Sequence, residues 1–182
     1  MRKIKISAIL SLLGVTIFLF YLNTDKIRNN KSGNDIYLIG DTTSVYFPLW
    51  KINDRLSDYL GLLDSPILCF RIKDTDCHSC IDKGLEALHL SNIDSQKIKI
   101  LGAYRSQKSL ERFLSIKNIE YESFITNHDC FSDWEIEKSQ MPYYFVIYPD
   151  MKVSNFFIPD KNDILLTKQY LNKVSDIEFN NN

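Results

Sequence analysis

The sequence predicts an α/β domain with a central mixed β-sheet, preceded by an N-terminal transmembrane helix. Three observations support this prediction. Strand-like and helix-like apolar patterns alternate along most of the chain, a long apolar run lies near the amino terminus, and a Cys-x-x-Cys pair opens one predicted helix. Alternating strands and helices are typical of a sheet covered by helices on its faces. At 182 residues, the chain has room for one domain of ordinary size.

The composition excludes several classes of protein. Lys and Arg number 22 against 23 Asp and Glu, so the chain lacks the strong positive charge of a typical nucleic-acid binder. With 45% hydrophobic residues, 6 Gly and 5 Pro, it is neither a disordered nor a fibrous chain. Four cysteines are too few for a disulfide scaffold, but they suffice for one reactive pair or one metal site.

Residues 1–22 are predicted to be a signal-anchor. Basic residues precede a 17-residue apolar run, Ile6–Leu22, which is at the lower limit for spanning a bilayer. No small-x-small cleavage site follows the run, which favours a retained anchor over a cleaved signal peptide. Positive charges flank the run on both sides, and we expect the amino terminus inside and the domain outside. The polar residues 23–34 are predicted to be a linker, which leaves residues 35–182 for the folded domain.

The domain is predicted to contain six strands and four helices. The predicted strands are Ile36–Ile39, Ile67–Ile72, Lys97–Tyr104, Tyr121–Thr126, Tyr143–Tyr148 and Val153–Ile158. The predicted helices are Leu49–Leu62, His78–His89, one capped by Ser106, and a C-terminal one capped by Asn162 or Asp163. The segment Asn127–Gln140, between the third helix and the hairpin, is predicted to be irregular and polar.

The Cys-x-x-Cys pair lies where a buried strand is followed by the first turn of a helix. A helix N-terminus carries partial positive charge and free N–H groups, so a thiolate there is stabilised and its pKa falls. The spacing places the sulfurs of Cys77 and Cys80 on one side of the turn, close enough for a disulfide. Cys77 is then the expected nucleophile, and Cys80 the thiol that resolves the mixed disulfide. A protonated His78 turned toward Cys77 would stabilise its thiolate, although a solvent-exposed histidine with no role fits equally well.

The strand Ile67–Ile72, the helix start Cys77-His78-Ser79-Cys80, and Met141-Pro142 leading into a strand and hairpin together resemble the thioredoxin-like superfamily. The resemblance is greatest to its membrane-tethered, TlpA-type thiol-disulfide oxidoreductases. It implies a thioredoxin-like three-layer fold and dithiol/disulfide exchange with protein substrates and a redox partner. No organic cofactor is expected, since the sulfurs carry the electrons.

The same resemblance implies a substrate-binding role for Met141 and Pro142. Pro142 would be a cis-proline facing the cysteine pair, and Met141 would hydrogen-bond the substrate through its backbone. Together with His78 they are the predicted substrate-binding residues. A trans proline at the start of an edge strand is the alternative for Pro142.

Three features depart from the family pattern. Asp76 stands where an aromatic residue usually precedes the first cysteine, and its carboxylate would raise the pKa of the Cys77 thiol. His78 and Ser79 replace the proline and glycine often found between the cysteines. The stretch from Cys80 to Pro142 is longer than a minimal thioredoxin needs, which indicates an inserted helix or loop.

The remaining cysteines leave alternatives open. Cys69 is predicted to be a buried apolar residue within its strand. Cys130 could pair with Cys69 or with a partner protein, or act as a third redox thiol. With His128, Cys77 and Cys80, it could also complete a zinc site.

Three functions are therefore compatible with the sequence. The first is a single-pass membrane protein whose domain catalyses thiol-disulfide exchange on the extracytoplasmic, periplasmic side of a bacterial membrane. The second is a thioredoxin-like module that docks a partner or senses redox state with little turnover. The third is a structural zinc domain.

Overall fold

The computed structural model describes residues 45–179, apart from the side chain of Trp50, and these residues belong to one compact unit. The predicted anchor (residues 1–22), linker (residues 23–34) and strand Ile36–Ile39 lie outside the described residues. Among the helices of residues 45–179, none is long and apolar enough to cross a bilayer.

Within residues 45–179, six strands form a mixed sheet at the centre of the domain. Its strands are β1 (Val45–Tyr46), β2 (Ile67–Lys73), β3 (Ile98–Ala103), β4 (Glu122–Ile125), β5 (Tyr143–Ile147) and β6 (Lys152–Phe157). The strand order is β1-β6-β5-β2-β3-β4, with β2, β3 and β4 parallel and the β5, β6 and β1 pairings antiparallel. The predicted mixed sheet is confirmed. The short edge strand β1 is an addition, because its two residues are too few to show any periodicity.

Four α-helices in the described part of the chain cover the sheet. They are α1 (Asp54–Gly61), α2 (His78–His89), α3 (Gln107–Ile116) and α4 (Ile164–Val174). The predicted caps of α3 and α4 are confirmed: Ser106 forms a capping box with Ser109, and the Asp163 side chain accepts the Leu166 N–H. Short 3₁₀ turns, Leu49–Lys51, Ser95–Lys97 and Glu135–Ser139, and a π-helical turn, Ser175–Phe179, complete the described structure.

The prediction of one continuous helix over Leu49–Leu62 is wrong at its start. Asn53 has extended backbone (φ −78°, ψ 161°), and its side chain accepts the Leu56 N–H at 3.0 Å. Asparagine is a strong N-cap, so a new helix begins after it, and the 3₁₀ turn before it stays separate.

The two faces of the sheet bury different layers. Helices α2, α3 and α4 cover the first face, where Leu68, Phe70 and Ile72 of β2 point. Helix α1 and the segment 127–140 cover the second face, where the intervening residues Ile67 and Cys69 point. This arrangement confirms the predicted three-layer α/β architecture. The segment 127–140 was predicted to be polar, but it also contributes to the core. Its apolar side chains Cys130, Phe131, Trp134 and Ile136 are buried.

Helix α2 lies very close to β2 at Gly84. A Cβ atom at this position would stand 2.4 Å from Cζ of Phe70, which is closer than non-bonded carbon atoms approach each other. The Gly84 carbonyl also accepts a hydrogen bond from the Tyr144 hydroxyl at 2.8 Å. These contacts fix α2, and with it the turn that precedes it, against the centre of the sheet.

Candidate active site

The two cysteines of the Cys-x-x-Cys pair form a disulfide at the start of α2, with their Cα atoms 5.3 Å apart. Cys77 is the N-cap residue, and its carbonyl accepts the N–H groups of Cys80 and Ile81, each at 3.0 Å. Cys77 is partly exposed, whereas Cys80 is fully buried. A disulfide in this setting can be attacked from solvent at Cys77, while Cys80 is shielded.

Ser79 contributes a contact that sequence reasoning missed. Its Oγ lies 3.3 Å from Sγ of Cys77. A disulfide sulfur carries no hydrogen, so the Ser79 hydroxyl is the donor. If Cys77 became a thiolate, the same hydroxyl would make a stronger, charge-assisted bond. The signal was available in the sequence, since a hydroxyl residue stands two positions after the first cysteine.

Asp76, which precedes Cys77, directs its carboxylate into the turn. Oδ2 accepts the Lys73 N–H at 2.8 Å, and the Asp76 N–H donates to the Lys73 carbonyl at 3.1 Å. Among residues 45–179, Oδ1 has no hydrogen-bond partner, and it stands 3.8 Å from the Lys73 Nζ. Because the residue is only 3% exposed, burial raises the pKa of its carboxyl group. The carboxylate therefore closes the turn that leads to Cys77.

A cluster of buried charges lies behind this turn, and we call Arg71, Lys73, Asp76 and Glu137 the ion cluster. Arg71 Nε donates to Glu137 Oε1 at 3.0 Å, and Lys73 Nζ donates to Glu137 Oε2. The side chains of Arg71 and Glu137 are 0% and 6% exposed. Two cations and two carboxylates balance each other, which is the condition under which charges are tolerated inside a protein.

Neutral groups complete the coordination of the ion cluster. The Tyr143 hydroxyl donates to Glu137 Oε1 at 3.2 Å, and burial beside this carboxylate raises the pKa of the phenol well above its usual value. Arg71 also donates to Thr126 Oγ1 at 2.5 Å and to the Asn127 carbonyl at 3.3 Å, and its guanidinium lies 4.9 Å from the Phe131 ring centroid. The ion cluster thus joins β2, β5, the end of β4 and the segment 127–140.

The sheet brings Met141 and Pro142 to the same end of β2 as the disulfide. Tyr143 pairs with Arg71 in the antiparallel β2–β5 ladder, so the two residues before Tyr143 lie beside the end of β2, where the chain turns toward Cys77. Pro142 is buried and Met141 is partly exposed. The Met141 N–H donates to Ser139 Oγ at 3.3 Å.

The expected cis peptide at Pro142 is wrong. Residues 45–179 contain no cis peptide bond, so Met141–Pro142 is trans. A trans X–Pro bond is favoured by about 0.5–1 kcal/mol unless the surroundings demand cis. Here Gln140, with left-handed backbone (φ 54°, ψ 33°), turns the chain into β5 without a cis bond.

The structure does not assemble the four residues of the zinc alternative. Cys77 and Cys80 are joined to each other, Cys130 is buried in the second-face core, and His128 Nε2 lies 3.4 Å from Asp74 Oδ1. Over residues 45–179, no three His, Cys, Asp or Glu side chains are grouped to hold a metal ion.

The other cysteines and His78 are placed as follows. Cys69 is buried as predicted, and both Cys69 and Cys130 are free thiols, so the disulfide considered between them is not formed. Burial raises the pKa of both thiols, that of Cys130 to about 11, which keeps them protonated at neutral pH. His78 is exposed at the first position of α2.

No family model and no curated protein matches the chain. Several solved structures are similar at low identity. A thiol:disulfide interchange protein from a Bacteroides species is 12% identical, with a TM-score of 0.42, over 66% of this chain and 76% of that one. The thioredoxin domain of a thiol-disulfide oxidoreductase from Bacteroides vulgatus is 12% identical, with a TM-score of 0.41, over 64% of this chain and 84% of that one.

A thiol:disulfide interchange protein of the thioredoxin family from Chlorobium tepidum is 13% identical, with a TM-score of 0.43. This similarity covers 64% of the present chain and 83% of that one. At these identities and TM-scores, no activity is transferred to the chain.

Proposed function

We propose that the protein is a membrane-anchored, extracytoplasmic thiol-disulfide oxidoreductase that exchanges electrons with protein dithiols and disulfides. One observation carries the proposal: a disulfide joins the partly exposed Cys77 to the buried Cys80 at a helix N-terminus. This asymmetry suits exchange, because an incoming thiolate or disulfide can reach one sulfur, and the other can release the mixed disulfide.

The reaction balances without a cofactor. In the reduced protein, the Cys77 thiolate attacks one sulfur of a substrate disulfide, a mixed disulfide forms, and the other substrate sulfur leaves as a thiolate. Cys80 then loses its proton and attacks Cys77 Sγ, which releases the second substrate sulfur. The products are the Cys77–Cys80 disulfide and a substrate dithiol, after the transfer of two electrons and two protons. The reverse sequence oxidises a substrate dithiol.

Cys77 and Cys80 are the catalytic residues in this proposal. Ser79 stabilises the Cys77 thiolate through its hydroxyl, which lies 3.3 Å from the sulfur. Met141 and Pro142 lie at the same end of the sheet and line the substrate-binding side, and His78 contacts substrate from the exposed first position of α2. Because the Met141–Pro142 bond is trans, recognition by the Met141 backbone differs from the cis geometry that the sequence resemblance implied.

The location is proposed from the amino terminus. Residues 6–22 would anchor the chain in a membrane as a single pass, and residues 23–34 would connect the anchor to a domain on the periplasmic side. Two measurements test this location. Deletion of residues 1–22 should release the protein from the membrane fraction, and an alkaline phosphatase fused after residue 34 should be active only if the domain is exported.

The first test is the reduction potential of the cysteine pair. The full-length chain in mild detergent is equilibrated in glutathione buffers and trapped with a thiol-adding mass tag, with Cys77→Ser as the control. We expect a reversible two-electron transition between about −300 and −100 mV that is absent from the variant. A pair that stayed fully reduced or fully oxidised throughout would contradict catalysis and favour a docking module.

A further inference from the structure

We propose that Glu137 is a positioning residue that ties the Met141–Pro142 turn to the Cys77–Cys80 turn through the ion cluster. The proposal rests on the proposed function, because it concerns how the substrate-binding turn is held relative to the cysteine pair. It assigns a role to a buried carboxylate in a segment that the sequence marked only as irregular.

Glu137 is close to Met141 in the chain. It lies in the 3₁₀ turn Glu135–Ser139, only four residues before Met141. Ser139, in the same turn, accepts the Met141 N–H. Whatever holds this turn in place therefore also sets the position of Met141.

Glu137 binds side chains of two neighbouring strands. Its two carboxylate oxygens accept from Arg71, Lys73 and Tyr143, and Lys73 Nζ also lies 3.4 Å from the Glu137 carbonyl. Three donors on one buried carboxylate hold it to β2 and β5 at once. A carboxylate so bound has little freedom, since any movement leaves a buried cation unpaired.

Lys73 contacts both sides of the site. Its ammonium holds Glu137, while its backbone N–H and carbonyl are bonded to Asp76, the residue before Cys77. One residue at the end of β2 thus contacts both the segment that leads to Met141 and the turn that leads to the disulfide. The distance between the substrate-binding turn and the reactive sulfur is set at Lys73.

Breaking the ion cluster should affect protein disulfides and small disulfides differently. A protein disulfide must meet Met141 and Cys77 together, whereas a small disulfide needs only the exposed sulfur. The loss of Glu137 should therefore weaken exchange with protein substrates far more than exchange with small ones.

The test compares Glu137→Gln with Glu135→Gln in the full-length chain in mild detergent. Glu135 belongs to the same 3₁₀ turn, but its carboxylate is 80% exposed and pairs with Lys138 at the surface, so it is a matched control. The substrates are insulin, a protein disulfide, and hydroxyethyl disulfide, a small one. We expect Glu137→Gln to lower kcat/KM for insulin by about tenfold or more, mainly through KM. The rate with hydroxyethyl disulfide should stay within about threefold of the wild type. The variant loses binding of the protein substrate, whereas the reaction at the cysteine pair is unchanged. Equal losses for both substrates, or no loss for either, would overturn the proposal.

Two further variants guard against a loss caused by poor folding. Tyr143→Phe removes a single donor to Glu137 and should cause a smaller change in the same direction. The double variant Lys73→Gln with Glu137→Gln removes one charge of each sign, so the ion cluster stays neutral. It should fold better than Glu137→Gln and yet keep the defect with insulin. Recovery of insulin turnover in the double variant would contradict a positioning role.

A measurement independent of activity separates this inference from the proposed function. Amide hydrogen exchange should become faster in Glu137→Gln at both turns, residues 73–80 and 137–143, and at neither turn in Glu135→Gln. If only one turn loosens, or neither does, Glu137 does not join them. A different outcome is that both turns exchange hydrogen faster in Glu137→Gln while the wild-type protein reduces neither insulin nor hydroxyethyl disulfide. In that case the positioning role stands and the catalytic proposal fails.

Discussion

The two sides of β2 support the same disulfide in different ways. Phe70 and Ile72 point to the first face and pack in an apolar core beneath α2. Arg71 and Lys73, the residues alternating with them, point to the second face and enter the ion cluster with Glu137. All four side chains are buried, but the first face is held by apolar packing and the second by ion pairs.

The difference lies in what each side can determine. Apolar packing is non-directional, so the first face fixes the depth and the spacing of α2 on the sheet. Charged hydrogen bonds require defined partners at defined angles, so the second face selects where the segment 127–140 lies. Helix α2 is held by contact, and the Met141–Pro142 turn is held by pairing.

The largest expected effect is the removal of a charge from the second face. Arg71→Met should leave Glu137 undercompensated in a buried site and cost about 3–5 kcal/mol of the free energy of unfolding. Urea unfolding monitored by circular dichroism measures it. The control is Lys83→Met, which breaks the exposed Lys83–Glu86 pair (2.7 Å) and should cost less than about 1 kcal/mol. A cost below about 1 kcal/mol for Arg71→Met would mean that Glu137 does not depend on that partner.

The apolar side is probed by a single added carbon. Gly84→Ala would put a Cβ 2.4 Å from the Phe70 ring and should destabilise the fold by about 1–3 kcal/mol through overpacking. Gly61 in α1 is the control, because no atom of the described residues lies within 4 Å of its Cβ position. Gly61→Ala should be neutral or stabilising by up to about 1 kcal/mol. Thermal unfolding of both variants tests this, and equal effects would contradict the close seating of α2.

Cys77 carries the reactive sulfur, and we expect the Ser79 hydroxyl to lower the pKa of its thiol. Ser79→Ala removes the donor to Cys77 and should raise the pKa of the reduced Cys77 thiol by about one unit. The reduction potential should become more negative by about 30 mV, because the thiolate form loses stabilisation. The pH dependence of alkylation by iodoacetamide reports the pKa. Ser79→Thr keeps a hydroxyl and should stay near the wild type, and an unchanged Ser79→Ala would remove Ser79 from the site.

The smallest effect is expected from the carboxyl group beside Cys77. Burial raises the folded-state pKa of Asp76 above its ordinary value of 3.8, so the folded protein binds this proton more tightly than the unfolded chain. The stability from Asp76 is therefore complete below pH 3.8 and is lost as pH rises through the raised value. Asp76→Asn keeps an acceptor for the Lys73 N–H and lacks this dependence. Relative to the wild type, it should gain stability as pH rises from about 3 to 7 in urea titrations. A constant difference over that range would contradict a raised pKa.

Local patterns were sufficient for much of the fold. The bounds of α2, His78–His89, follow from apolar spacing after the cysteine pair, and the caps Ser106 and Asp163 follow from residue type. The continuous apolar runs of β2, β3 and β5 predicted buried central strands correctly. These features depend on neighbours a few residues away, which the sequence displays directly.

Features that depend on distant residues were missed. The partners of Glu137 on β2 are 64 and 66 residues away, so neither Arg71 nor Lys73 could be recognised as buried and paired. The same reason explains the inward turn of the segment 127–140, whose Phe131 and Trp134 are buried among second-face side chains. The error at Pro142 came from the resemblance, which implied a cis bond; the bond is trans, and the left-handed residue nearby is Gln140.

By itself, the sequence determined the mixed α/β domain, the cysteine pair at the start of a helix, and the extent of that helix. Each of these depends on spacing and residue type within a few turns of chain. Only the tertiary structure decided that Glu137 pairs with Arg71 and Lys73 inside the protein, and that the segment 127–140 packs on the second face of the sheet. Those outcomes depend on buried charges that are tolerated only when strands and turns far apart in the chain bring opposite signs together.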